Sequence, residues 1–290
     1  MRMDDNNNRF VPLSRRAFAA SSLVAGFTLA AGPVRGDAII TDSNGLEAAE
    51  VAVPVSDGTV PAYRARPQSG THHPVMLVVQ EVFGVHEHIK DICRRFARLG
   101  YYAIAPSLYA RYGDPGKYDM TTVQKLMTDI VVKVPDAGVM SDLDASVAFA
   151  LHEGADAAKL GVIGFCWGGR IVWLYAAHNP ALKAALAFYG QLRGPAQRSP
   201  LRPLYPLDIV KDLHAPVLGF YGGLDKGIPV SDVEAMRAAL ASAGKLDCDL
   251  EVFMDAGHGF FADYRESYNA KDAKIAWARA QAWLKKAGVR

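Results

Sequence analysis

Three residues stand where a thiol, an imidazole and a carboxylate could act together. Cys166 lies in Gly164-Phe165-Cys166-Trp167-Gly168-Gly169, between the apolar run Leu160 to Phe165 and a helical pattern from Trp167 to Ala177. A reactive side chain with glycine two residues before and two after it suits a tight strand-to-helix turn. Bulkier neighbours would crowd the strand and helix, and the turn lifts the side chain above the sheet. The helix N-terminus beneath the sulfur favours thiolate over thiol. Asp225 closes Tyr221-Gly222-Gly223-Leu224-Asp225, and His258 sits in Asp255-Ala256-Gly257-His258-Gly259-Phe260, each just after a strand-like run. The chain order is nucleophile, acid, base. In such an array His258 takes the thiol proton and later delivers it to a leaving group, while Asp225 fixes the imidazole tautomer and stabilises its cation. Singly, each has a plainer reading: a core cysteine in a glycine-rich turn, a turn aspartate, a loop histidine. Three residues at three strand ends, in this order, argue for the array. Acyl transfer also needs donors for an oxyanion. The Trp167 N–H supplies one, and the loop Glu81-Val82-Phe83-Gly84 supplies the other, through the Val82 N–H.

The elements that must hold these residues follow from periodicity. Val51 to Arg66 reads as two strands around Asp57-Gly58. Pro74 to Gln80 is a continuous apolar run with β-branched residues, as in a strand buried on both faces. Tyr101 to Ala105, Leu160 to Phe165, Ala184 to Tyr189, Pro216 to Tyr221 and Asp249 to Met254 are further strands. Helical patterns run over His88–Leu99, Met120–Val131, Ala137–His152, Trp167–Ala177, Ser231–Ala243 and Asp272–Lys286. Alternating strands and helices predict an α/β fold, a mostly parallel central sheet with helices on both faces. Gly190 to Leu207 carries four prolines and little periodicity, so it is a long loop that either lines a site or wanders over the surface. No linker separates two cores, and residues 41–290 form one domain.

Half of the 290 residues are hydrophobic, enough for one large core. The net charge is only +2, which offers no basic surface for nucleic acid. Residues 1–40 are set apart as a signal segment. Ser14-Arg15-Arg16-Ala17-Phe18 is followed by the uncharged run Ala17 to Val34, rich in alanine and glycine. This resembles a bacterial twin-arginine signal, which implies the twin-arginine export machinery as a partner and a periplasmic destination. An ordinary N-terminal anchor is the alternative. Cleavage could follow Ala31 or Ala38. An odd count of cysteines argues against a disulfide framework. Cys93 and Cys248 read as small core residues, with a bridge between them left open.

Gln80-Glu81-Val82-Phe83-Gly84, Pro106-Ser107-Leu108-Tyr109-Ala110-Arg111, the Gly-Phe-Cys-Trp-Gly-Gly turn, Gly223-Leu224-Asp225 and His258-Gly259-Phe260 together resemble the dienelactone hydrolase family, also called carboxymethylenebutenolidases. The resemblance runs from about residue 50 to the C-terminus. It implies an α/β-hydrolase fold, no cofactor, and hydrolysis of a cyclic enol ester carrying a carboxylate. By resemblance, Glu81 matches a carboxylate that controls the cysteine's protonation. Arg111 matches an arginine that pairs with the substrate carboxylate and that Glu81 would trade with it. Arg265 is the candidate for the family's second arginine, at a spacing from His258 that departs from the family's. The plainer readings are a helix-capping Glu81 and a surface Arg111 beside Asp114. His86 and His88, two apart and without a cysteine or carboxylate partner in sequence, do not make a metal site. Tyr109, Tyr112, Trp167 and Phe260 either line an apolar pocket or fill the core. The expected activity is therefore cleavage of a small-molecule ester or lactone. The alternative is a non-catalytic ligand-binding protein on the same fold.

Overall fold

The computed structural model describes residues 38–290. Most of the expected signal segment therefore lies outside the described residues. The chain alternates β1 (Leu46–Val55), β2 (Gly58–Pro67), β3 (Pro74–Val79), α1 (Glu87–Arg98), β4 (Tyr102–Pro106), α2 (Val123–Asp129), α3 (Asp136–His152), β5 (Asp156–Phe165), α4 (Trp167–His178), β6 (Ala184–Phe188), β7 (Val217–Gly222), α5 (Val230–Ser242), β8 (Asp249–Phe253) and α6 (Ala270–Lys286). The eight strands form one sheet in the order β1-β2-β4-β3-β5-β6-β7-β8. Only β2 runs against the rest, because it pairs antiparallel with both β1 and β4 while every later pair is parallel.

The apolar strand sequences explain their places. After Pro74, every residue of β3 is buried, as is every residue of β4, β6 and β7. A parallel strand covered on both faces has no solvent side and needs no alternation. Along β5, a Cβ on Gly161 would lie 3.4 Å from Leu284 of α6. A Cβ on Gly164, three residues on and so on the opposite face, would lie 2.9 Å from Val172 of α4. Helices thus cover both faces. Phe96 of α1 meets Trp277 of α6 edge-on at 5.0 Å, and Tyr175 of α4 donates a hydrogen bond to Asp144 of α3.

The chain runs from β3 out to β4 and then back to β5 on the other side of β3. This reversal opens a crevice at the carboxyl ends of β3 and β5, the place where open α/β sheets bind ligands. Val79 pairs with Gly164 there, so the loop beginning at Gln80 lies beside the turn that holds Cys166.

Two expectations need adjustment. The helix expected at Met120–Val131 is shorter, Val123–Asp129 followed by a 3-10 turn. Asp119 is the cause: its Oδ1 accepts from the N–H groups of Thr121 and Thr122 at 2.9 and 3.0 Å and holds the chain in a turn. At the domain's start, the Ile39 N–H donates to Asp263 at 3.3 Å, so ordered contact reaches slightly before residue 41. The three cysteines are free, so Cys93 and Cys248 are not bridged. Among the described residues no helix is long and apolar enough to cross a membrane.

Candidate active site

Cys166 sits at the tip of the turn between β5 and α4 with φ 53° and ψ −115°, a strained conformation for a residue with a side chain. The surrounding glycines make room for it. A Cβ on Gly164 would stand 2.4 Å from the Gly168 carbonyl oxygen, and one on Gly168 would stand 2.5 Å from those of Val79 and Gln80. The Cys166 N–H donates to Phe188 O at 3.0 Å, which ties the turn to the end of β6.

His258 follows β8 and Asp225 follows β7. Nε2 of His258 stands 3.2 Å from Cys166 Sγ, and Nδ1 stands 2.7 Å from Asp225 Oδ2. The other Asp225 oxygen accepts from the N–H groups of Gly227 and Ile228 at 2.8 and 3.1 Å. One oxygen is thus fixed by backbone and the other is left for the imidazole. Tyr189 packs edge-on against the His258 ring at 5.1 Å. Burial pushes the His258 pKa down, but the charges of Cys166 and Asp225 outweigh it and raise it to about 10. The array therefore favours the imidazolium form of His258.

Glu81 is fully buried below this array. One oxygen accepts from Arg265 Nη2 at 3.1 Å. The other accepts from the Tyr264 hydroxyl and stands 3.4 Å from His86 Nε2. Burial pushes the Glu81 carboxyl up, but Arg265 and His86 prevail and hold it well below the usual carboxylate range. The loop that carries it is a tight turn, Gly84 N–H to Glu81 O at 3.1 Å, with Gly84 at φ 79°. No hydrogen bond joins Glu81 to Cys166 among the described residues.

Cys166 and His258 open on a cavity of about 340 Å³. Val82, Trp167, Met120, Val123, Met127 and Ile228 give it apolar walls. Val82 and Trp167 are the two residues expected to supply oxyanion donors. Both line the cavity, and neither N–H has an acceptor among the described residues.

Arg265 also reaches the cavity. Arg111 does not line it, contrary to the expectation of a substrate clamp. Its Nε and Nη2 donate to Asp57 at 2.7 Å each, and its Nη1 and Nη2 donate to Asp142 at 2.7 and 3.0 Å. With its fork filled by two carboxylates, no donor pair remains for a substrate. The arginine that holds Glu81 is therefore Arg265 and not Arg111. Of the four aromatic residues considered for the pocket, Trp167 lines it, Tyr109 packs behind Trp167 at 5.0 Å, Phe260 is in the core and Tyr112 packs against the core. His86 and His88 each face a carboxylate, Glu81 and Asp263 respectively, and no cluster that could hold a metal occurs among the described residues.

Sequence reasoning passed over Arg170, Arg202 and Tyr205, all on the cavity wall. The last two come from the proline-rich loop, whose composition was the available signal. That loop is anchored: Arg170 donates to Leu204 O at 2.6 Å, and Tyr205 lies between the guanidinium groups of Arg170 and Arg198 at 4.3 and 4.8 Å.

The model of the dienelactone hydrolase family matches residues 60–288. The chain belongs to the dienelactone hydrolase family. A Methylorubrum extorquens protein assigned as a carboxymethylenebutenolidase is 57% identical over 279 residues, covering 96% of this chain and 94% of its own. A protein of Escherichia coli strain K12 with the same assignment is 48% identical over 270 residues, covering 93% and 98%. The crystal structure of a Klebsiella pneumoniae protein assigned as a dienelactone hydrolase superposes with a TM-score of 0.79 at 50% identity, covering 83% of this chain and 98% of that one. The α/β-hydrolase fold and a hydrolase of the ester and lactone class are thereby shown.

The electrostatics of the array can be checked directly. In Cys166→Ala the charge that raises His258 is gone while its burial remains. The His258 pKa, followed by NMR titration of the ring, should fall below that of the wild-type protein. A value equal to the wild type's would assign the elevation to Asp225 alone.

Proposed function

We propose that this dienelactone hydrolase family member cleaves an ester or lactone through a cysteine nucleophile. The observation that carries the reading is the unbroken chain from Cys166 Sγ to His258 Nε2 at 3.2 Å and from Nδ1 to Asp225 at 2.7 Å, opening on a cavity. The Cys166 thiolate attacks the carbonyl carbon, and the carbonyl electrons move to oxygen, where the Val82 and Trp167 N–H groups receive the charge. The C–O bond then breaks, and the leaving oxygen takes the proton from His258, which leaves a thioester on sulfur. Water attacks that thioester as His258 removes its proton. The acid leaves and the thiol is restored. In a lactone the leaving oxygen stays tethered to the acyl group, so one product is released.

Glu81 is buried and its charge is balanced by Arg265, which reaches the cavity, so a ligand that draws on Arg265 also loosens the hold on Glu81. The Cys166→Ala protein should lose at least two orders of magnitude in kcat/KM on chromogenic esters while keeping the wild-type melting profile. Retention of more than about one per cent of activity would remove Cys166 from the mechanism.

We also propose export by the twin-arginine route to the periplasm, supported by Arg15-Arg16 ahead of the apolar run Ala17 to Val34. Fused to a folded reporter, residues 1–40 should lead to export, and replacing both arginines by lysine should block it. Unchanged export of the lysine variant points to a general secretory signal.

A further inference from the structure

From Ile39 onward the chain is tied to the domain through its backbone. The Ile39 N–H donates to Asp263 Oδ2 at 3.3 Å, the Thr41 N–H donates to Asp91 Oδ1 at 2.5 Å, and Thr41 O accepts from Arg94 Nε at 2.7 Å. Arg98 then pairs with Asp42. The side chains of Ile39 and Ile40 are 45% and 65% exposed, so apolar burial does not hold this stretch. Two buried carboxylates hold it, Asp91 of α1 and Asp263 of the segment between β8 and α6.

Negative charge exceeds the guanidinium charge in this cluster. Arg95 bridges the two aspartates, Nε to Asp91 at 2.6 Å and Nη2 to Asp263 at 2.8 Å, while Arg94 reaches Asp91 and Glu87. Three carboxylates thus share two guanidinium groups. His88 Nδ1 stands 3.0 Å from the other Asp263 oxygen, Oδ1. On the side of Oδ2 that faces the start of the domain there is only the neutral Ile39 amide. Its 3.3 Å is long beside the roughly 2.7–2.9 Å of a charged donor on a carboxylate. Buried carboxylates are normally satisfied by a full positive charge.

We propose that the signal segment is removed between Ala38 and Ile39, and that the new Ile39 α-ammonium forms an ion pair with Asp263. Gly36-Asp37-Ala38 places small residues one and three positions before this bond, the pattern that leader peptidases cut. Cleavage after Ala31 would put Leu29 at the third position. In the hydrolysis the oxygen of water joins the Ala38 carbonyl carbon and the C–N bond breaks. Ala38 leaves as a carboxylate, and both protons of the water go to the Ile39 nitrogen. The atom that donates to Asp263 as an amide then donates as a cation. Asp263 is followed directly by Tyr264 and Arg265, which hold Glu81, so the ion pair fastens the processed end to the segment that braces the active site. This inference rests on the export reading above and adds its cleavage point.

The test expresses the full chain, collects the periplasmic fraction and measures the intact mass of the exported protein. That mass should be the mass of residues 39–290. Exported protein that begins elsewhere, or that stays uncut in the membrane, overturns this inference and leaves the export reading standing. Protein retained whole in the cytoplasm sinks both. The ion pair is read on the mature protein, from the rate at which acetic anhydride labels the α-amine as pH is varied. An ordinary α-amine titrates near about 8. With Asp263 favouring the ammonium, that of Ile39 should titrate above about 9. The charged and titratable groups around it are Asp263 and Tyr268 on one side and His88, Asp91 and Arg95 of α1 on the other. Asp263→Asn should return the midpoint to about 8, and Asp263→Glu should keep part of the elevation. A wild-type midpoint near about 8 overturns the ion pair, and that reading needs no variant to fold. So does a midpoint that stays raised in Asp263→Asn.

Discussion

The arrangement of the whole site depends on how closely backbone approaches backbone around Cys166. Gly164 faces the Gly168 carbonyl, Gly168 faces those of Val79 and Gln80, and Gly169 lies against Phe188 O and Gly190. A Cβ at any of these would come within 2.5 Å of a backbone oxygen. Those contacts fasten the ends of β3, β5 and β6 to the first turn of α4. They leave Cys166 at a positive φ that the chain would not otherwise adopt. The sulfur is thereby raised into the crevice where the strand order reverses. The loops after β7 and β8 need only be long enough to bring Asp225 and His258 to it.

Charge is arranged around that sulfur with few loose ends. Asp225 is held by two backbone N–H groups and one imidazole, and Glu81 by Arg265, Tyr264 and His86. Arg170 and Arg111 are consumed by Asp136, Asp57 and Asp142. Paired groups of this kind fix geometry and are poor at binding a ligand, since a ligand must first displace the partner.

Much of this was legible in the sequence. Strands β3, β4, β6, β7 and β8 begin and end near their expected limits because buried parallel strands are continuous apolar runs closed by glycine or polar residues, whereas β5 starts at Asp156, ahead of the expected Leu160, in a partly exposed stretch with no apolar run to announce it. Cys166, Asp225 and His258 were legible from order and position, because each lies immediately after a strand, where topology determines location. Arg111 was misread for the opposite reason. Its partners lie 54 and 31 residues away, in the β1–β2 turn and in α3, and no local pattern announces them. Arg202 was missed because its place depends on tertiary anchors, Asp136 and Arg170, that hold a loop without periodicity. Resemblance paired Glu81 with Arg111, whereas the structure pairs it with Arg265.

The central claim is that carbon–oxygen cleavage passes through a covalent bond to Cys166. The most direct measurement is mass spectrometry of wild-type protein quenched in acid during turnover of an activated ester, followed by peptide mapping. The account predicts the acyl mass on the peptide containing Cys166, released by base as a thioester, and none on the peptides containing Cys93 or Cys248. Steady turnover with no covalent adduct under conditions where deacylation is slowed, or an adduct on another side chain, would contradict it.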